Sequence, residues 1–210
     1  MENIKIENIE KLLQSKSSEK LLIKSLKGLR VDKKDRKSRV ILIVICIMIA
    51  VLIGFCNDTV IILQDSIDVI LNVLLALGGM IFTGYALLQA FMNKQLLLHL
   101  LSDTKKEKNG EEKSRLQDVN ENFVYLMLLY VVIIIESLIL KIILLCIPSE
   151  FLLYENIVIS NIIASILMFF YFLPISIILL RTISFVSSIF NLFNAYAVAQ
   201  IIEILDEDEK

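Results

Sequence analysis

The chain has 210 residues, 57% of them hydrophobic and 21% charged, with a formal net charge of -2 and a mean hydropathy of +0.75. That composition excludes an ordinary soluble globular domain, which needs more polar surface to cover so much apolar side chain. Several apolar runs approach the roughly 20 helical residues that cross a bilayer's hydrocarbon layer, so an integral membrane protein is expected.

Residues 1–39 form a basic amphipathic region with 12 Lys and Arg against 6 Asp and Glu. The positions Ile4, Ile6, Ile9, Leu12 and Leu13, then Leu21, Leu22, Leu26 and Leu29, predict one or two short amphipathic helices. Basic residues crowd between Lys24 and Arg39, and Lys33, Lys34, Arg36, Lys37 and Arg39 are candidates for contact with lipid head groups or a partner. Beside a membrane segment these residues already have an ordinary role, so direct nucleic-acid binding is not expected. A long charged region precedes the first apolar run and no small-residue cleavage site follows it, so that run is expected to stay as the first span rather than act as a signal peptide.

Residues 40–92 read as a first transmembrane hairpin. Its first span, Val40 to Cys56, is short, and Asn57, Asp58 and Thr59 follow as an outer turn; Val60 to Leu63 either extend the span or cover the membrane surface. The second span runs from Ile67 to Phe91, with Lys94 at its inner end. Along it Asp65, Asp68, Asn72, Ala76, Gly79, Thr83, Ala86 and Ala90 recur at three- and four-residue steps, giving one polar, small-residue stripe. Such a stripe serves either close helix packing, as the small-xxx-small pair Gly79 and Thr83 suggests, or the wall of a water-filled path with Asp65 and Asp68 at its mouth.

Residues 93–122 form a charged cytoplasmic stalk that begins with the apolar patch LLLHLL at 96–101. The single histidine, His99, belongs to this amphipathic surface, and Asn109 with Gly110 is expected to break two helical stalks.

Residues 123–181 form the second hairpin, with spans at Phe123 to Ile147 and Ile157 to Leu180, an outer turn at 148–150, a candidate kink at Pro174 and Arg181 at the inner end. Within VIIIESLILK, Glu136 sits at mid-span, where a charge costs several kcal/mol unless it faces protein or water, pairs, or is neutralised. Lys141 is five residues on, about 140° away around the helix, so it points elsewhere and is expected to snorkel outward. Asn72, Asn161 and Ser165 are the candidate partners of Glu136.

Residues 182–210 are helical in pattern, with Ser184, Ser188, Asn191 and Asn194 or Ala195 on one polar face and an acidic tail, EILDEDEK. The segment continues the fourth span, lies in the interface, or forms a fifth span; Arg181 alone is too little for the turn a fifth span requires. Arg181, Asn191 and Asn194 are candidate partner or lipid contacts.

Every Lys and Arg except Lys141 falls on the inner side of this arrangement, whereas the outer turns hold Asp58, Asp65, Glu150 and Glu155. The expected fold is therefore all-α: a polytopic membrane protein with four transmembrane helices in two hairpins, cytoplasmic helical extensions and both termini inside. The cysteines, Cys46, Cys56 and Cys146, lie in or beside apolar runs; a Cys56–Cys146 bridge is one option and buried thiols the favoured one. Phosphate loops, nucleophile–base pairs and metal-ligand spacings are missing from the sequence, so it offers no catalytic residue, metal or cofactor and no enzyme is expected.

The stretches GYALLQAFMNKQLLLHLL at 84–101 and RTISFVSSIFNLFNAY at 181–196, around a charged stalk and a second hairpin, resemble small four-span membrane proteins of bacterial antiphage defence systems. The resemblance covers the layout of about 150 residues and suits the chain's Ile-, Lys-, Glu- and Asn-rich composition. It implies a homo-oligomeric effector of the bacterial cell membrane that forms an ion channel or pore. The alternative it implies is a non-conducting anchor or sensor that recruits a cytosolic defence partner.

Overall fold

A computed structural model describes residues 21–23, 25, 36–56, 58–90, 92, 94–106, 112–148 and 151–208. Lys33, Lys34, most of the expected amino-terminal amphipathic region and the break at Asn109 and Gly110 lie outside these residues, as do the side chains of Arg36, Lys37, Arg39 and His99.

The elements are α1 (Arg36–Gly54), α2 (Thr59–Ala90), α3 (Lys94–Ser102), β1 (Thr104–Lys106), β2 (Glu112–Ser114), α4 (Arg115–Leu145) and α5 (Ile157–Asp208). Among the described residues three helices, α2, α4 and α5, are long and apolar enough to cross a membrane, which makes this a helical, multi-pass membrane protein. The apolar part of α1, Val40–Gly54, is shorter, about 22 Å at 1.5 Å per residue against a hydrocarbon layer of about 30 Å.

Local chemistry sets the helix ends. Val60 to Leu63 belong to α2, because the Thr59 hydroxyl donates to the carbonyls of Cys56 (2.7 Å) and Ile53 (3.2 Å) and ties the turn to the end of α1. The Ser114 hydroxyl accepts the Gln117 N–H at 3.3 Å and caps α4, which starts well before the expected Phe123. Asn156 Oδ1 accepts the N–H groups of Val158 (2.9 Å) and Ile159 (3.4 Å) and caps α5. From there α5 runs 52 residues, about 78 Å, through Pro174 and Arg181 without a turn. Pro174 has no N–H to give to the carbonyl four residues back, yet the helix continues on both sides of it.

The chain divides into two compact units. In the membrane unit, within 16–87 and 123–178, the core is built from helix faces: Ile67, Leu71, Leu74, Gly78 and Ile81 of α2, Phe123, Leu126, Tyr130 and Ile133 of α4, and Met168, Tyr171, Ile175 and Ile178 of α5 are buried. Only a narrow line of α1 joins this core. Cys46 and Ala50 are about 1% exposed, and Gly54 is buried with them at the same four-residue spacing. That spacing brings small residues against α5, where the Cys46 thiol donates to Ser176 Oγ at 3.2 Å. A Cβ on Gly54 would collide with Ser165 Oγ, so no larger residue fits without displacing Ser165.

The second unit, within 1–15, 88–122 and 179–210, contains a feature the sequence reading missed. Between the helix α3 and the start of α4, the mixed-charge segment forms an antiparallel hairpin pairing Thr104 with Ser114, Lys105 with Lys113 and Lys106 with Glu112. Arg115 closes its base: its N–H donates to the Asp103 carbonyl at 2.9 Å and its guanidinium to Asp103 Oδ2 at 3.1 Å. Two short strands suffice here because an ion pair and a backbone bond hold their ends together, which a charged helical stalk would not use.

Candidate functional site

Helix α2 carries Gln64, Asp65, Asp68 and Asn72 in the membrane unit, and α4 carries Glu136, Ser137 and Lys141. Four contacts set the register of this antiparallel pair. Gln64 Nε2 donates to the Leu144 carbonyl at 2.7 Å, and the Lys141 ammonium donates to the Asp68 carboxylate. A Cβ on Gly78 would meet the Tyr130 ring at 3.6 Å, and the rings of Tyr85 and Phe123 lie 5.0 Å apart. The residue numbers of every pair add to 208 or 209, so Asn72 and Glu136 occupy one level, a turn below the Asp68–Lys141 pair.

This register corrects the expectation for Lys141. The lysine does not snorkel free; it reaches Asp68, and both side chains remain partly exposed, at 30% and 48%. Asp68 is thereby taken into an ion pair, whereas Asp65, three residues earlier, is exposed.

The α2 stripe has a definite orientation. Asp65, Asn72, Ala76, Gly79, Thr83, Ala86 and Ala90 are all exposed, while the core-facing positions between them are apolar. Nothing lies within 4 Å of a Cβ built on Gly79. The Thr83 hydroxyl donates to the Gly79 carbonyl of its own helix at 2.9 Å, so it makes no bridge to a neighbour. Close packing inside the chain therefore uses Gly54 and Gly78, and the stripe is an outer face.

Glu136 shares that outward character. It is exposed and makes no hydrogen bond or ion pair with the described residues, although its charge is felt at Tyr171. Of its expected partners, Ser165 donates to the Asn161 carbonyl at 2.8 Å and sits against Gly54; Asn72 is the one that shares its level. The adjacent Ser137 is fully buried and accepts a hydrogen bond from Tyr171 at 2.9 Å. Ser137 and Tyr171 were not legible as a pair because they are 34 residues apart.

In the second unit the Lys113 ammonium donates to Asp118 (3.2 Å) and Glu121 (3.1 Å), and Gln117 Nε2 donates to Glu121 Oε1 at 3.2 Å. Burial pulls the Lys113 pKa down, but the hydrogen bond and charge of Glu121, with those of Asp118, outweigh it and raise it above its ordinary 10.5. On α5, Ser184, Ser188, Asn191 and Asn194 are exposed, and Arg181 is partly covered. All three cysteines are free thiols, Cys46 buried and Cys56 and Cys146 exposed, so no bridge joins the last two. Among the described residues no three of His, Cys, Asp and Glu converge on a metal-sized space.

No family model matches this chain, and neither a curated protein nor a solved structure matches it.

Proposed function

We propose that the chain is the subunit of a homo-oligomeric membrane effector that forms an ion channel or pore, acting in bacterial antiphage defence. The observation that carries this reading is the placement of Asn72 and Glu136 on one level of the outer surface of α2 and α4. In a lone subunit those groups would face hydrocarbon, and a charge there costs several kcal/mol. Assembly that covers both the α2 stripe and the Glu136 face of α4 with other copies removes that cost, and carboxylates set beside a shared polar path would favour cations. In this arrangement α1 is the fourth crossing and both termini are in the cytoplasm. The proposed effector carries no catalytic step.

Flux through the purified protein in liposomes tests the reading. The wild type passes a monovalent cation, Glu136→Gln and Asn72→Leu lower that flux at least about tenfold, and liposomes silent under activating conditions reject the channel. A second reading, a non-conducting anchor or sensor for a cytosolic partner, draws on the exposed Ser184, Ser188, Asn191 and Asn194 face of α5. Stable co-purification with a cytosolic protein, lost in Asn191→Leu/Asn194→Leu, together with silent liposomes, would favour it.

A further inference from the structure

The membrane unit contains a partly open cleft of about 510 Å³ that the proposed conduction path does not use. Val60 and Leu63 of α2, Leu140 and Leu144 of α4, and Leu167 and Met168 of α5 line it, and the loop residues Phe151 to Leu153 border one end. That volume falls in the range of small-molecule sites, about 300–1,000 Å³.

Most polar groups in its wall are already used within the protein. The Thr59 hydroxyl donates to the Cys56 carbonyl, Ser160 Oγ accepts the Leu153 N–H at 2.9 Å, and Tyr171 donates to Ser137. Asn161 differs: it is among the residues that line the cleft, and its carboxamide has no hydrogen bond to any described residue. It lies one turn inside the start of α5, beside the loop that links α4 to α5, within reach of lipid ester groups if the bilayer boundary falls at that helix end.

We propose that this cleft holds one acyl chain of a membrane phospholipid, with the Asn161 carboxamide donating to an ester carbonyl at the head of that chain. The medium at its mouth decides the occupant. The helices that line it, α2, α4 and α5, are among the described residues those long and apolar enough to cross a membrane, so lipid chains would border the cleft in a bilayer. Water would lack polar partners along the leucine wall. From Asn161 to Tyr171 the cleft follows ten residues of helix, about 15 Å, a run suited to an extended chain. Because lipid tails compete with one another on equal apolar terms, packing and the single Asn161 bond set the preference.

The test uses the full chain in phosphatidylcholine vesicles doped with a phosphatidylcholine that carries a diazirine midway along one acyl chain. After illumination, peptide mapping should find cross-links at Leu140–Leu144 and Ala164–Met168 enriched about fivefold over the exposed apolar face of α1. Ala164→Phe, which fills the cleft, should bring labelling down to the α1 level. Asn161→Ala removes only the polar contact and should lower labelling about threefold; it decides the matter where Ala164→Phe fails to fold. Equal labelling of cleft and α1 face in the wild type overturns the proposal, as does labelling that neither variant changes. With the three native cysteines replaced by serine, an interchain disulfide through Ala164→Cys would place a second copy in the cleft and also overturn it.

Discussion

Lys141 of α4 donates to the Asp68 carboxylate of α2, joining two transmembrane helices at a level one turn from Asn72 and Glu136. Both side chains keep partial access to solvent, so the pair lies between an exposed bridge and a buried one. Asp68→Asn should lower stability by about 1–2 kcal/mol, because it leaves a lysine charge without its counter-ion. The exchange Asp68→Lys/Lys141→Asp should recover more than half of that loss. Thermal unfolding in one detergent compares the three proteins.

Glycines 54 and 79 should separate folding from assembly. Any side chain on Gly54 collides with Ser165, so Gly54→Leu should cost about 1–3 kcal/mol by overpacking α1 against α5. Gly79 faces open space, so Gly79→Leu should leave the monomer's melting temperature unchanged. If copies meet through the α2 face, the same substitution should reduce the oligomer seen by native mass spectrometry. An unchanged oligomer would move the interface elsewhere.

Cross-linking addresses that interface directly. With Cys46, Cys56 and Cys146 replaced by serine, Asn72→Cys should form an interchain disulfide in membranes under mild oxidation. A control at Leu74, which is fully buried within the chain, should not. Failure at Asn72 with success on α5 at Asn191→Cys would relocate self-association to the carboxy-terminal helix.

Lys113 gives the second unit a pH signature. Its folded pKa is raised above the ordinary 10.5, so the folded state holds the proton more tightly than the unfolded chain does. The stabilisation is therefore complete below pH 10.5 and is lost as pH rises through the folded value. Lys113→Met should cost about 1–2 kcal/mol at neutral pH. The gap between the melting temperatures of wild type and variant should stay constant to about pH 10 and narrow above it.

Much of this architecture was legible in the residues. Apolar runs and mean hydropathy establish a helical membrane protein, because only helices or closed barrels satisfy their backbone groups in lipid. Helical geometry alone also separates Glu136 from Lys141, and the three- and four-residue steps of α2 define its stripe. The caps Ser114 and Asn156 and the packing line Cys46, Ala50 and Gly54 emerge from the structure, because their roles depend on where the helices end and on which neighbour α1 meets.

The side of the helix that faces outward was a different matter. In water, hydrophobicity tells the buried face from the exposed one; between lipid tails and leucine side chains that difference vanishes. Periodicity therefore reveals the stripe on α2, and the packing of Gly78 on Tyr130 with Gln64 on Leu144 turns that stripe away from the core. The same antiparallel register, set by residues distant in the chain, supplies Lys141 with Asp68 and brings Glu136 to the level of Asn72, each exposed on its own helix.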